Sequence, residues 1–243
     1  MAHHPADNQV LAALTTEDLA RLLPHLQLID MPTGSLLYEP DTVMRHAYFP
    51  IDCIVALLHV LADGFSAEIA VVGNEGLIGV ALIMGGGTTP SRAIVQSAGS
   101  AYRIAGEVLK AEFYANVTLR EAMLRYTQAL ITQMAQSAAC NRHHSIDQRL
   151  CRWLLMSLDR LPSNHLGMSQ ELIAGMLGVR REGVTEAAGK LQSLGAIQYQ
   201  RAQITILDRA KLETLCCECY AVVKKETDRL LAVVPRPADV RPR

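Results

Sequence analysis

The spacing of apolar positions changes along the chain, and each change predicts a different kind of structure. Over residues 9–29, Leu11, Leu14, Leu19, Leu22, Leu23 and Leu26 recur at helical intervals, with Thr16 placed to cap the second half. From Met31 to about Ile104 the texture is different. Short apolar runs (SLLYE, AYFPI, IVALLHVL, SAEIAVVG, LIGVALIM, RAIVQS and AYRI) are separated by Gly, Pro, Asp and Asn, the pattern of an all-β roll, sandwich or barrel. After AGEV the spacing is helical again. Leu119, Met123, Tyr126, Leu130 and Met134 form one long stripe. Such a stripe either packs a core helix on the β domain or pairs the helix with its own copy. Its place between a β domain and a helical one favours pairing, so these residues are the expected dimer interface. A break at NRHHS (141–145), with His143 and His144 read as polar hinge residues, precedes a helix with Leu150, Trp153, Leu154 and Leu158 on one face.

After the loop PSNHLG comes the stretch SQELIAGMLGVRREGVTEAAGKLQSLGAI, residues 169–197. Ser169 is placed to cap a helix whose buried side is Leu172, Ile173, Met176 and Leu177. Gly178 tolerates the positive φ of a tight turn, and Val179 fills the joint. A second helix buries Val184, Ala187, Ala188 and Leu191 and shows Arg180, Arg181, Glu182, Thr185, Glu186 and Gln192 on its other side. Helix, glycine turn, helix is the helix-turn-helix pattern, in which the first residues of the second helix reach base edges. Arginine fits guanine O6 and N7 with two donors, and glutamate accepts from cytosine N4. AIQYQRAQITIL alternates as a two-stranded wing, and DRAKLETLCCECYAVVKKETDRLL reads as a helix. The expected DNA-facing set is Ser169, Gln170, Arg180, Arg181, Glu182, Thr185, Glu186 and Lys190. A helical hairpin with a merely solvated charged face is the plainer alternative.

IAGMLGVRREGVTEAAGKLQSLGAI resembles the winged helix-turn-helix of Crp/Fnr-type bacterial transcription regulators, and the resemblance extends over nearly the whole chain. It implies an α+β fold: an N-terminal β-roll like a cyclic-nucleotide-binding jelly roll (1–118, with the N-terminal helix), a long dimerisation helix and hinge (119–143), a winged domain (144–230) and a disordered tail (231–243). It assigns base reading to Arg181 and Glu182. The family's third reading position, often arginine, is Glu186 here, which puts the family's best-known operator in doubt. The implied partners are palindromic double-stranded DNA, a second copy of the chain, RNA polymerase as a candidate, and an effector of unknown identity.

In the family the roll often holds a cyclic nucleotide. Against that cassette, IGVALIMGG (78–86) and PSRAIV (90–95) keep Gly79, Gly85 and Gly86. Val80 stands in place of the ribose-binding carboxylate, and the Arg-Ser pair is inverted to Ser91-Arg92. Gly79, Val80, Ser91 and Arg92 are the effector-pocket candidates. Valine gives a buried ribose hydroxyl no acceptor, so cyclic AMP in the family's manner is not expected. Another effector, or none, remains open.

A formal net charge of −1 over 243 residues means that any DNA contact rests on a local basic cluster. No apolar run spans a bilayer, and the N-terminus does not read as a secretion signal, so a cytoplasmic protein without membrane contact is expected. The six cysteines are then expected as thiols. Cys216 and Cys219 share a CxxC spacing, read first as a plain helix turn, second as a redox or metal pair; no cofactor and no metal site is assigned. GxSxG, Walker, HExxH and GxGxxG motifs are absent, and His46, His59 and Glu68 are too scattered for a β-roll enzyme, so no catalytic residue is assigned. The competing reading is an intracellular redox or metal sensor, or scaffold, using its winged module for protein contacts.

Overall fold

A computed structural model of the chain describes residues 3–232 apart from Asp63 and Phe65. The N-terminal leucines form two short helices, α1 (Gln9–Ala12) and α2 (Thr16–Leu22), capped by Asn8 and by Thr15 rather than Thr16. The expected helix stops short of residue 29 because Gln27–Met31 is a strand, β1. Antiparallel strands follow: β2 (Leu36–Tyr38), β3 (His46–Pro50), β4 (Ile54–Val60), β5 (Ser66–Val72), β6 (Ser91–Ser97) and β7 (Gly99–Ala105). They form two sheets, ordered β1-β7-β3 and β2-β6-β4-β5. LIGVALIM is not a strand. Gly79 takes φ +107 and opens a single 3-10 turn over Val80–Leu82.

Helix α3 (Gly106–Ala115) ends at Asn116, whose side chain caps α4 (Val117–His143). Leu119, Met123, Tyr126 and Leu130 are buried in the roll's core, with Met134 packed against it. The expected dimer stripe is therefore the face α4 turns to its own β domain, and these residues are not available to a partner. Close packing there depends on Gly76, where an added Cβ would lie 2.0 Å from the Tyr126 ring. The Gln133 amide of α4 completes the open edge of β5, accepting from Val71 N at 2.7 Å and donating to Val71 O at 3.1 Å. That meets the hydrogen-bonding need of an edge strand by a side chain.

The winged domain begins with α5 (Ile146–Leu158), held by a Ser145–Gln148 capping box. Next come β8 (His165–Gly167), inside the expected loop, α6 (Gln170–Leu177), α7 (Arg181–Ser193), β9 (Ile197–Gln200) and β10 (Gln203–Ile206). The wing sheet has three strands, β8-β10-β9. The helix expected after it is two, α8 (Arg209–Leu215) and α9 (Glu218–Leu231), broken at Cys216-Cys217. From Val233 onward the expected tail lies outside the described residues.

The run IVALL in β4 is apolar at every position because both faces are covered. Val55 and Leu57 point into the roll. Ile54 joins the winged-domain core, and Ala56 and Leu58 meet Met176 and Leu172 of α6. Polar groups complete this junction. Arg160 pairs with Glu75 at 2.7 Å, both nearly buried, and Trp153 Nε1 faces Glu68 Oε2 at 3.4 Å. Burial pushes the Glu68 carboxyl up to about 8, against the Trp153 hydrogen bond and the charges of Arg152 and Arg160, which pull it down. An unfolded glutamate titrates near its ordinary value, so between there and about pH 8 the folded form holds a proton that the unfolded form has lost. Stability contributed at this site is complete in acid and falls as pH rises through that window. Glu68→Gln is expected to leave the unfolding temperature nearly unchanged below about pH 4, on the acid side of that window. At pH 8 it should raise it by roughly 2–4 °C, about 1 kcal/mol. Melting curves with equal differences at both pH values would contradict this.

Candidate nucleic-acid interface and effector cavity

Helix α6 starts at Ser169, whose hydroxyl accepts from Leu172 N at 3.2 Å, and ends at Gly178, φ +61. The left-handed conformation suits glycine, and it turns the chain so that α7 crosses α6. Buried Ile173, Ala174 and Leu177 meet Val184, Ala187, Ala188 and Leu191 inside the domain. Thr185 Oγ1 donates to Gln170 Oε1 at 2.8 Å and fixes the two helices from outside. Arg149 donates to the carbonyl of Leu177, tying α5 to the turn.

Arg180 is the N-cap of α7, and Arg181 and Glu182 form its first turn. All three are exposed, and no ion pair among the described residues involves them. Glu186 is exposed as well, one turn further on. Lys190 is engaged with Asp147 of α5, so part of its charge is already neutralised. A shallow surface joins Ser169, Gln170 and Arg181 to Tyr199 and Arg201 of the wing. Tyr199 Oη donates to Met168 O at 2.9 Å and holds the wing against the start of α6. The wing turns at Arg201 and Ala202, both at positive φ (+49 and +62). This is the two-residue hairpin geometry. Arg201 was absent from the expected DNA-facing set, although its place at the centre of QYQRAQIT marks it as the wing tip.

The roll encloses a cavity of about 320 Å³ against α4. Gly79, Val80 and Ser91 line it, with Tyr38, Thr127 and Leu130, and no lining side chain is charged. Arg92 does not line it. Its Nε donates to Glu39 Oε2 at 2.7 Å on the other side of β6, as alternation along a strand requires. Ser91 Oγ is shared with Thr89 Oγ1 at 2.9 Å.

The cysteines fall differently from the CxxC reading. The break between α8 and α9 separates Cys216 from Cys219, and Cys216 Sγ faces Gln148 O at 3.9 Å. Cys217 and Cys219 instead meet Cys140 and His144 at the end of α4, so His144 is drawn into a thiol cluster while His143 stays exposed. Burial pushes the free Cys140 thiol up to about 12.

Residues 148–215 match the family of Crp-like helix-turn-helix domains. No curated protein sequence matches the chain. Among solved structures, it is similar to a protein assigned to the Crp/Fnr regulators from Eubacterium rectale. That pair has 18% identity and a TM-score of 0.67, covering 85% of this chain and 96% of the other. It is also similar to the c-di-GMP-responsive global regulator CLP of Xanthomonas campestris, with 17% identity, TM-score 0.63, and 79% and 99% covered. A third is TTHB099, a CRP-family transcriptional regulator of Thermus thermophilus, with 17% identity, TM-score 0.62, and 85% and 100% covered. The chain thus carries a Crp-like helix-turn-helix domain over residues 148–215 and shares the fold of these solved structures, a β-roll, a long helix and a winged domain. No helix among the described residues is long and apolar enough to cross a membrane.

Proposed function

We propose that the chain is a homodimeric, sequence-specific DNA-binding transcription regulator of Crp/Fnr type, answering to an effector other than cyclic AMP or to none. The observation that carries this reading is the first turn of α7, where Arg180, Arg181 and Glu182 stand exposed and without ion pairs among the described residues, beside the wing-tip Arg201. Arg181 and Glu182 read bases. Ser169, Gln170 and Arg201 lie on the adjoining surface, where backbone phosphates pass in such complexes. Selection of bound DNA from a random duplex pool tests the reading. Expected is a two-fold symmetric motif whose binding weakens steeply with added salt. Recovery of no preferred sequence would refute it and favour protein contacts by the winged module.

Cyclic AMP brings an anionic phosphate and a ribose hydroxyl. The cavity offers Val80 where a carboxylate would accept that hydroxyl, and its nearest strand cation, Arg92, is paired with Glu39 outside it. Burying the phosphate without a cation is strongly unfavourable. Calorimetry with cyclic AMP and cyclic GMP is therefore expected to give no heat of binding at up to roughly millimolar ligand, a level at which a −4 kcal/mol interaction registers. Micromolar binding of either would mean that Arg92 leaves Glu39 and turns inward.

A further inference from the structure

The end of the long helix and the start of the last helix converge on one group of soft ligands. Cys140 lies in the last turn of α4 and His144 is the residue that ends it, and Cys217 and Cys219 flank the first residue of α9. One ligand atom from each lies within 4.8 Å of all the others. Cys140 Sγ is 3.6 Å from Cys217 Sγ, and Cys219 Sγ is 3.4 Å from His144 Nδ1. Around a tetrahedral zinc ion with bonds of about 2.3 Å to sulfur and 2.0–2.1 Å to nitrogen, the corresponding separations are about 3.8 and 3.5 Å. Shifts of a few tenths of an ångström in these two contacts would admit the ion.

The surroundings also have the character of a metal site. His144 Nε2 lies 3.3 Å from Glu218 Oε2, which leaves Nδ1 free for a metal. That carboxylate–histidine relay fixes the tautomer of a ligating imidazole. Gln136 Nε2 donates to Cys219 Sγ at 3.1 Å, a bond that supports a thiolate. All three cysteines are buried, at 0%, 5% and 1% exposure. Four protein ligands would fill a tetrahedral set and leave no coordination position for substrate water, the mark of a structural centre. Three thiolates and an imidazole suit zinc and exclude magnesium, calcium and manganese.

We propose that Cys140, His144, Cys217 and Cys219 form a closed zinc-binding site that staples the C-terminal end of α4 to α9. Binding exchanges three thiol protons for the ion, releases them to solvent and needs no oxidant. The site lies at the hinge between the long helix and the winged domain, so its occupancy sets how firmly α7 is held relative to the long helix. This coupling rests on the DNA-binding reading above; the metal site itself does not.

Anaerobic titration of the reduced, metal-free full chain with cobalt(II), followed by displacement with zinc, tests the site. Expected are one ion per chain, a thiolate-to-cobalt charge-transfer band and the intense visible bands of tetrahedral cobalt. Cys217→Ser and His144→Ala should weaken or abolish these bands. Cys216→Ser, outside the cluster, should retain them. Absence of the bands in the reduced unmutated chain would overturn the proposal. So would bands lost in Cys216→Ser but kept in Cys217→Ser, or a Cys140–Cys217 disulfide in freshly purified protein that carries no metal. In a parallel arm, removing zinc should weaken binding to the selected DNA by roughly tenfold, within the usual range of allosteric coupling. Zinc bound with DNA affinity unchanged on its removal overturns the coupling and leaves the site. Zinc bound with no DNA binding under any condition overturns the DNA-binding reading instead.

Discussion

Arg181→Ala is expected to lower affinity for the selected DNA by roughly 5- to 150-fold per half-site and to relax preference at one base pair. This corresponds to the 1–3 kcal/mol of a bidentate arginine–guanine contact. The argument is local. Arg181 occupies the first turn of α7, next to the N-cap Arg180, on a helix whose opposite side is buried through Val184, Ala187, Ala188 and Leu191. Its orientation is thus fixed by packing that the substitution does not touch, and the exposed side chain contributes little to folding. Arg201→Ala at the wing tip should weaken binding to all sequences alike and reduce the salt slope by about one, as loss of a phosphate contact does. Comparing the two separates reading from anchoring. Equal loss on all sequences for Arg181→Ala would remove it from the base-reading set.

The helix-turn-helix was legible because each of its signals is local. Ser169 caps, Gly178 turns, and apolar residues at helical spacing mark the buried faces within a few residues of one another. What was not legible depended on partners distant in sequence. The leucine spacing of residues 9–29 concealed β1, because Leu28 and Ile29 pair across to Tyr102 and Ala101. LIGVALIM has the composition of a strand, but Gly79 at positive φ bends it into the cavity wall. Cys140 and Cys217 are 77 residues apart, and the break in CCEC that turns Cys217 toward Cys140 carries no local proline or glycine to announce it. Gly79, Val80 and Ser91 line the roll's cavity, while the outward turn of Arg92 follows from the strand register that pairs it with Leu58 of β4.

Leu124→Glu combined with Ile131→Glu is expected to convert a dimer into a folded monomer, whereas Leu130→Glu should unfold the β-roll. Periodicity along α4 reports that a face is buried but not what buries it. The stripe through Leu119, Met123, Tyr126 and Leu130 is consumed by the chain's own core. Its complement is Val117, Glu121, Leu124, Gln128, Ile131, Ala135, Ala138 and Arg142, all exposed and spaced alternately by four and three residues. That is the seam spacing of a two-stranded coiled coil. Leu124 and Ile131 are one heptad apart, 52% and 50% exposed, and stand where a second copy of α4 would insert its own knobs. Ala135 and Ala138 allow the helices to approach closely further along. Each of these side chains is already half covered, so burying the rest on both copies is worth on the order of 3–6 kcal/mol in total, the central share of a seam whose flanking contacts supply the remainder. Facing glutamates at both positions remove that gain and add like-charge repulsion. Sedimentation at micromolar concentration should therefore show a dimer for the unmutated chain and a monomer with native circular dichroism for the double variant. Loss of the native spectrum in the double variant, or a dimer that survives it, would place the interface elsewhere. On the proposed reading, in which two copies share one palindromic operator, the monomer should also lose most of its affinity for the full site while keeping that for a half-site.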